Sequence, residues 1–103
     1  TPLNIFVRDD MGEIVGGILG GMWGGWLHIT FLWVAPELRK QGYGTRLLQA
    51  AEAEAKEKGC RSAFLETHSF QAPDFYRRLG FQPVGQLSDY PPGHAYFIMW
   101  KPL

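Results

Sequence analysis

Apolar residues recur with a strand period at both ends of the chain and with a helical period in its middle. Leu3-Asn-Ile-Phe-Val7 reads as a short strand, and Arg8-Asp-Asp-Met-Gly12 as a turn. Glu13 to Leu19 is a second strand, which makes the first pair a β-hairpin. Trp26 to Val34 is almost continuously apolar and is predicted to be a long central strand, broken by Pro36-Glu37. From Tyr43 to Lys58 the period becomes helical, with Leu47, Leu48, Ala51 and Ala55 in one stripe. Glu52/Lys56 and Glu54/Lys58 fall at i,i+4 on the wet side, and Gly59 suits the position after the helix. Ser62 to Glu66 is the next strand. Because it follows a helix that follows a strand, it is expected to run parallel to Trp26–Val34 in a βαβ unit. Pro73 to Leu79 is a short helix ended by Gly80, and the strands Phe81–Leu87 and His94–Lys101 complete the chain. The order is β-β-β-α-β-α-β-β, a mixed α/β sheet with a central βαβ unit.

Composition narrows the class. At 103 residues the chain is one small domain with a single core. Hydrophobic residues make up 46% and aromatics 15%, which argues against disorder. Ten Lys and Arg balance ten Asp and Glu, so no global field favours nucleic acid or an acidic membrane surface. Any anion site must be local. The single cysteine, Cys60, excludes an internal disulfide and a cysteine-based zinc site, and makes a reducing cytoplasm the expected location.

One stretch competes with the globular reading. No charge occurs from Ile14 to Pro36, and Gly16, Gly20 and Gly24 repeat at four-residue spacing, as do Gly17, Gly21 and Gly25. A small membrane protein packed through a glycine seam can look like this. Two buried strands around the turn Gly21-Met-Trp-Gly-Gly25 explain the run better, since its second half is rich in β-branched and aromatic residues and no basic cluster flanks either end.

The segment Arg39-Lys40-Gln41-Gly42-Tyr43-Gly44-Thr45-Arg46 carries the chemistry. It opens the long helix with glycines and three basic residues, and with no Asp or Glu in the first turn. Helix N-termini offer unpaired N–H groups and partial positive charge, and glycine lets an anion approach the backbone. That is the composition of a phosphate site. It is not a Walker loop, since no Lys-Ser/Thr follows the glycines, and Leu47 stands where a dinucleotide fold wants a small residue.

Val34-Ala-Pro-Glu-Leu-Arg39-Lys-Gln-Gly42-Tyr-Gly44-Thr45 before an amphipathic helix resembles the acetyl-CoA pyrophosphate motif of the GNAT N-acetyltransferases, of form R/Q-x-x-G-x-G/A. Further on, Ala72-Pro-Asp-Phe75-Tyr76-Arg-Arg-Leu-Gly80-Phe81 is similar to the family's second motif, A-x-x-F-Y-x-x-x-G-F. The resemblance covers roughly residues 3–103. It implies a strongly twisted sheet of the acyl-CoA N-acyltransferase type that splays between Trp26–Val34 and Ser62–Glu66, with acetyl-CoA as cosubstrate in the gap. Arg39, Lys40, Gln41, Gly42, Tyr43, Gly44 and Thr45 would hold the pyrophosphate. Backbone of Leu32, Trp33 and Val34 would pair with the pantetheine arm as an added strand does. Ser69 and Phe75 are further cofactor contacts, and no metal is implied. Tyr76 is the expected general acid for the departing thiolate. Glu66 is the first candidate for taking the amine proton, followed by His28 and His68; each also has a plain structural reading as an ion-pair or hydrogen-bond partner.

Two departures bear on the acceptor. Ser69 stands three residues before Ala72, where the second motif commonly has Asn. The strand and helices that family members usually carry before the first hairpin are not in this sequence, so either the sequence is a piece of a longer protein, or the acceptor site is more open, or a second subunit supplies its wall. The acceptor is a small-molecule or peptide amine: a polyamine, aminoglycoside, peptide N-terminus, lysine or small amine all fit. A dimer is expected, because four Trp, seven Phe and four Tyr exceed what so short a chain can cover. Beside an N-acetyltransferase stands a second function, a non-catalytic acyl-CoA-binding module.

Overall fold

Gly24 and Gly25, with φ of 60° and 83°, form a two-residue turn between the paired residues Trp23 and Trp26. Positive φ at both positions matches the twist of a tight hairpin, and glycine adopts it without the steric cost that a Cβ brings. In the computed structural model, which describes residues 1–103, this turn joins strand β2 (Ile14–Trp23) to β3 (Trp26–Val34). The turn is shorter than the sequence predicts because Gly21 and Met22 remain in β2, with Met22 buried in the core.

The other elements are β1 (Pro2–Arg8), helix α1 (Tyr43–Glu57), β4 (Ser62–His68), helix α2 (Pro73–Arg78), β5 (Gln82–Ser88) and β6 (Ala95–Pro102), with a single 3₁₀ turn at Pro36–Leu38. Their order along the chain is the predicted one, and no boundary moves by more than four residues. The sheet runs β1-β2-β3-β4-β6-β5, and every neighbouring pair is antiparallel except β3 with β4. Residues 14–36 are therefore strand and turn, and no helix is long and apolar enough to cross a membrane.

The glycines of β2 permit close approach. A Cβ on Gly17 would meet the Phe6 ring at 2.9 Å, and one on Gly20 would lie 2.5 Å from the His28 carbonyl oxygen. Gly20 sits at a bulge: Leu19 pairs with Phe31 while Gly20 pairs with Ile29, leaving Thr30 as an extra residue in β3. The Thr30 hydroxyl donates to Leu19 O at 3.1 Å and ties the bulge down. The extra residue also resets the alternation. Leu27 and Ile29 before it, and Leu32 and Val34 after it, all turn to the core.

That core lies between the sheet and α1, which presents Leu47, Leu48, Ala51 and Ala55 to Ile18, Leu27, Ile29, Ala63 and Leu65. Phe81 and Met99 extend it under α2. Of the two expected helix-surface pairs, Glu54–Lys58 forms at 3.6 Å. Glu52 instead bonds Lys101 at 2.8 Å. Lys101 reaches it because its ammonium also donates to Leu79 O at 2.8 Å, so a half-buried network wins over a solvated pair.

Candidate active site

β3 and β4 are paired only from Trp26/Ser62 to Ile29/Leu65. Beyond the bulge they diverge, β3 following β2 as far as Val34 and β4 following β6 as far as His68. The divergence opens a cleft of about 430 Å³ between Thr30, Phe31 and Leu32 on one wall and Leu65, Glu66 and Thr67 on the other, with Tyr76 bordering it from α2. Ala35 N–H bonds Val15 O at 2.8 Å, so Ala35 directs its N–H to β2. By the two-residue alternation Trp33 does the same, and the backbone groups of Leu32 and Val34 face the open edge. The backbone groups of Trp33 thus pair with Gly17 in β2, while those of Leu32 and Val34 line the open edge of the cleft.

The N-terminus of α1 lies at one end of this cleft. Gly42 is its N-cap with φ of 82°, no side chain caps it, and its first turn has no acid. The first helical bond is Arg46 N–H to Gly42 O, at 3.0 Å, and the N–H groups from Lys40 to Thr45 have no protein acceptor. A Cβ on Gly42 would meet nothing within 4 Å, so the space beside it is open. Val34, Arg39, Lys40, Tyr43, Gly44, Thr45 and Phe75 surround a hollow of about 380 Å³ there, and Arg39 also borders the first cleft. Arg39 is held by its Nε donating to Val34 O at 3.2 Å, and the Gln41 amide donates to Glu37 O at 3.2 Å. Arg46 lies over the Tyr43 ring, 4.3 Å from its centroid. Arg78, from the last turn of α2, joins the hollow. The sequence reading did not single it out, although it stands two residues after Tyr76.

Tyr76 is held by edge-to-face contacts with Phe75 and Phe81 at 5.2 and 5.9 Å. Its hydroxyl has no protein partner and is not sealed off, since no buried side-chain polar atom of the chain lacks one. Burial raises its pKa above the ordinary phenol value, which keeps it a neutral donor.

Glu66 and His28, separate candidates in the sequence, come together. His28 Nε2 lies 2.9 Å from one Glu66 carboxylate oxygen and 3.2 Å from the other. The His28 ring stacks on Phe64 at 4.2 Å, so its orientation is fixed. His68 sits further along β4, where the Gln71 side-chain oxygen accepts from its backbone N–H at 2.7 Å. Ser69 is turned away from both hollows. Its N–H donates to Ala95 O at 2.8 Å and its hydroxyl accepts from Ala95 N–H at 3.0 Å, which fastens it to the start of β6. Gln71, which no sequence motif points to, borders the cleft. No group of three or more metal-ligating side chains is present.

The model of the acetyltransferase (GNAT) family matches residues 1–81. The chain is 40% identical over 106 residues to the blasticidin-S acetyltransferase of Streptomyces morookaense, across 99% of this chain and 78% of that protein. A solved acetyltransferase from Bacillus cereus ATCC 14579 superposes with a TM-score of 0.96 at 43% identity, covering 100% of this chain and 74% of its own. An aminoglycoside 6′-N-acetyltransferase solved with coenzyme A shares the fold at a TM-score of 0.87 and 21% identity, over 98% of this chain and 72% of its own.

Proposed function

This chain belongs to the GNAT acetyltransferase family, and we propose that it moves an acetyl group from acetyl-CoA directly to a primary amine. The observation that carries this reading is the strand divergence at Ile29/Leu65, continuous through Arg39 with a helix start whose N–H groups are free. The relative solved with coenzyme A has the same fold. Residues 1–103 form one acyl-CoA-binding unit in this reading, working in the cytoplasm.

The residues fit the cosubstrate from end to end. Backbone N–H groups from Lys40 to Thr45 meet the pyrophosphate, with Arg39, Lys40 and Arg78 supplying charge. Leu32 and Val34 pair with the pantetheine amides on the open edge of β3. Acetyl-CoA supplies an activated thioester carbonyl. The attacking amine must arrive neutral, and the Glu66–His28 pair accepts its proton, directly or through one water. Attack forms the N–C bond and pushes the carbonyl electrons onto oxygen, where an N–H of the diverging β3 strand stabilises the charge. The carbonyl then re-forms as the C–S bond breaks, the electron pair leaves on sulfur and takes the Tyr76 proton, and the surplus proton on the amide nitrogen is released to restore Tyr76. Phenol and thiol lie near pKa ~10 and ~8.5, so a short hydrogen bond is needed for this slightly uphill transfer.

Release of free thiol from acetyl-CoA over a panel of primary amines tests the function. Amine-dependent release is expected. Tight CoA binding with no release for any amine would leave the non-catalytic acyl-CoA-binding module as the function. A small-molecule acceptor is favoured over a peptide, as the Streptomyces morookaense relative is named for acetylating blasticidin-S.

A dimer is part of the same proposal. The sheet face away from α1 leaves Phe6, Trp26 and Ile98 exposed at 45%, 40% and 37%. Large apolar side chains left open on one sheet face support a contact with a second copy there. Light scattering at several concentrations is expected to give twice the chain mass, and a monodisperse monomer up to high micromolar would end the idea.

A further inference from the structure

Beyond Glu66, β4 and β6 carry a group of aromatic rings that the transfer chemistry does not use. His68 stacks on Phe70 at 4.9 Å with 22° between planes, and packs against Tyr96 at 4.8 Å. Tyr90 meets Tyr96 edge-on at 5.2 Å. Rings that served only to hold this end of the sheet together would be buried, yet Phe70 and Tyr90 are 56% and 54% exposed. His94 also meets Phe70 edge-on at 4.9 Å, and the remaining surface of Phe70 and Tyr90 is open to solvent.

Its electrostatic setting is one-sided. The chain's own cation–ring pairs lie elsewhere, at Arg46/Tyr43, Arg77/Phe97 and Lys101/Phe81. Glu66 has no Lys or Arg partner, only His28. Glu66 pairs with Ile98, two residues along β6 from Tyr96 and on the same sheet face, so its carboxylate stands near these rings; loss of hydration, then Glu66 and Tyr90, push the Tyr96 phenol above its ordinary value. Asp89 adds a second carboxylate in the adjoining turn, where it accepts from Gly93 N–H at 3.3 Å. Exposed aromatic surface flanked by carboxylates, with no Lys or Arg of the chain over it, attracts an external cation, and flat rings favour a planar one.

The cluster also has a defined relation to the cleft. Gln71, adjacent to Phe70, lines the cleft with Glu66 and at the same time holds His68 through its backbone N–H. A ligand seated on Phe70 and Tyr90 can thus extend an amine past Glu66 to the thioester.

We infer that Phe70, Tyr90 and Tyr96, with Glu66, form an acceptor subsite for primary amines that carry a planar cationic group of the guanidinium type. The subsite deepens the N-acetyl transfer reading and rests on it for the reacting end of the amine. Agmatine, a primary amine with a guanidinium tail, is the probe, and 5-aminopentan-1-ol is its neutral counterpart of similar length. The KM of agmatine is expected to be lower by about tenfold, the size of effect that cation–π contacts at a partly desolvated site supply. The double variant Phe70→Leu/Tyr90→Leu changes two exposed positions and should remove that preference. Independently of turnover, agmatine added to the CoA-loaded protein should shift the ring NMR signals of Phe70, Tyr90 and Tyr96. Equal KM values in the unaltered protein, a preference that survives the double variant, or ring signals that do not move would each overturn the subsite. Failure of CoA to bind would strike the transfer reading instead, and ring shifts with agmatine would then still support the subsite.

Discussion

Tyr76→Phe is expected to lower kcat by ~10²–10⁴-fold, the usual loss on removing one general acid, while fold and CoA affinity persist. The ring and its edge-to-face contacts with Phe75 and Phe81 remain in the variant. The deleted hydroxyl makes no bond within the protein, so its loss leaves no orphaned partner. That separates this substitution from ordinary core damage. Burial holds the phenol above its ordinary pKa, so the donor stays protonated through neutral pH. The activity that depends on it should fall only on the alkaline side, above pH ~10. Steady-state kinetics with saturating amine, beside calorimetric CoA binding, checks both halves. Equal turnover in the Phe variant would reduce Tyr76 to a packing residue.

What the sequence showed of this site, and what it hid, follows from where the chemistry resides. The helix start was legible because backbone recognition of an anion has compositional requirements: glycine at Gly42, no acid in the first turn, basic residues nearby. The two glycines at 24 and 25 were legible as a turn for a similar reason. The bulge was not, because Thr30 is an ordinary strand residue and its role depends on Gly20 in the neighbouring strand. Without the bulge the alternation along β3 cannot be followed, and Trp33 then looks equivalent to Leu32 and Val34. The setting of Ser69 is hidden for the same kind of reason: its hydroxyl accepts from Ala95 N–H, a partner 26 residues away that only the β4–β6 pairing reveals. The Glu66–His28 contact likewise spans 38 residues and depends on the parallel register. Local signals were readable; cross-strand partners were not.

The phosphate end can be tested without any amine. Gly42→Val is expected to weaken CoA binding by about 100-fold or more, for two separable reasons. Gly42 holds φ of 82°, a left-handed conformation that costs an L-residue roughly 1–2 kcal/mol and is worst for β-branched side chains. The variant is therefore driven to move the N–H groups that follow it. Each charge-assisted hydrogen bond lost from such a cradle is worth about 1.5–3 kcal/mol, so two lost bonds exceed the ~2.7 kcal/mol of a 100-fold change. Nothing lies within 4 Å of a Cβ at this position, so the protein itself has room for the side chain and the folded state should survive. Gly42→Asn supplies the internal comparison, since Asn tolerates the left-handed region far better and should lose less affinity. Arg39→Ala removes only charge from the rim and should weaken binding about tenfold, with a shallower salt dependence. Calorimetry on variants shown by circular dichroism to be folded decides the matter. Valine at position 42 with undiminished CoA affinity would mean that the pyrophosphate does not sit on this helix.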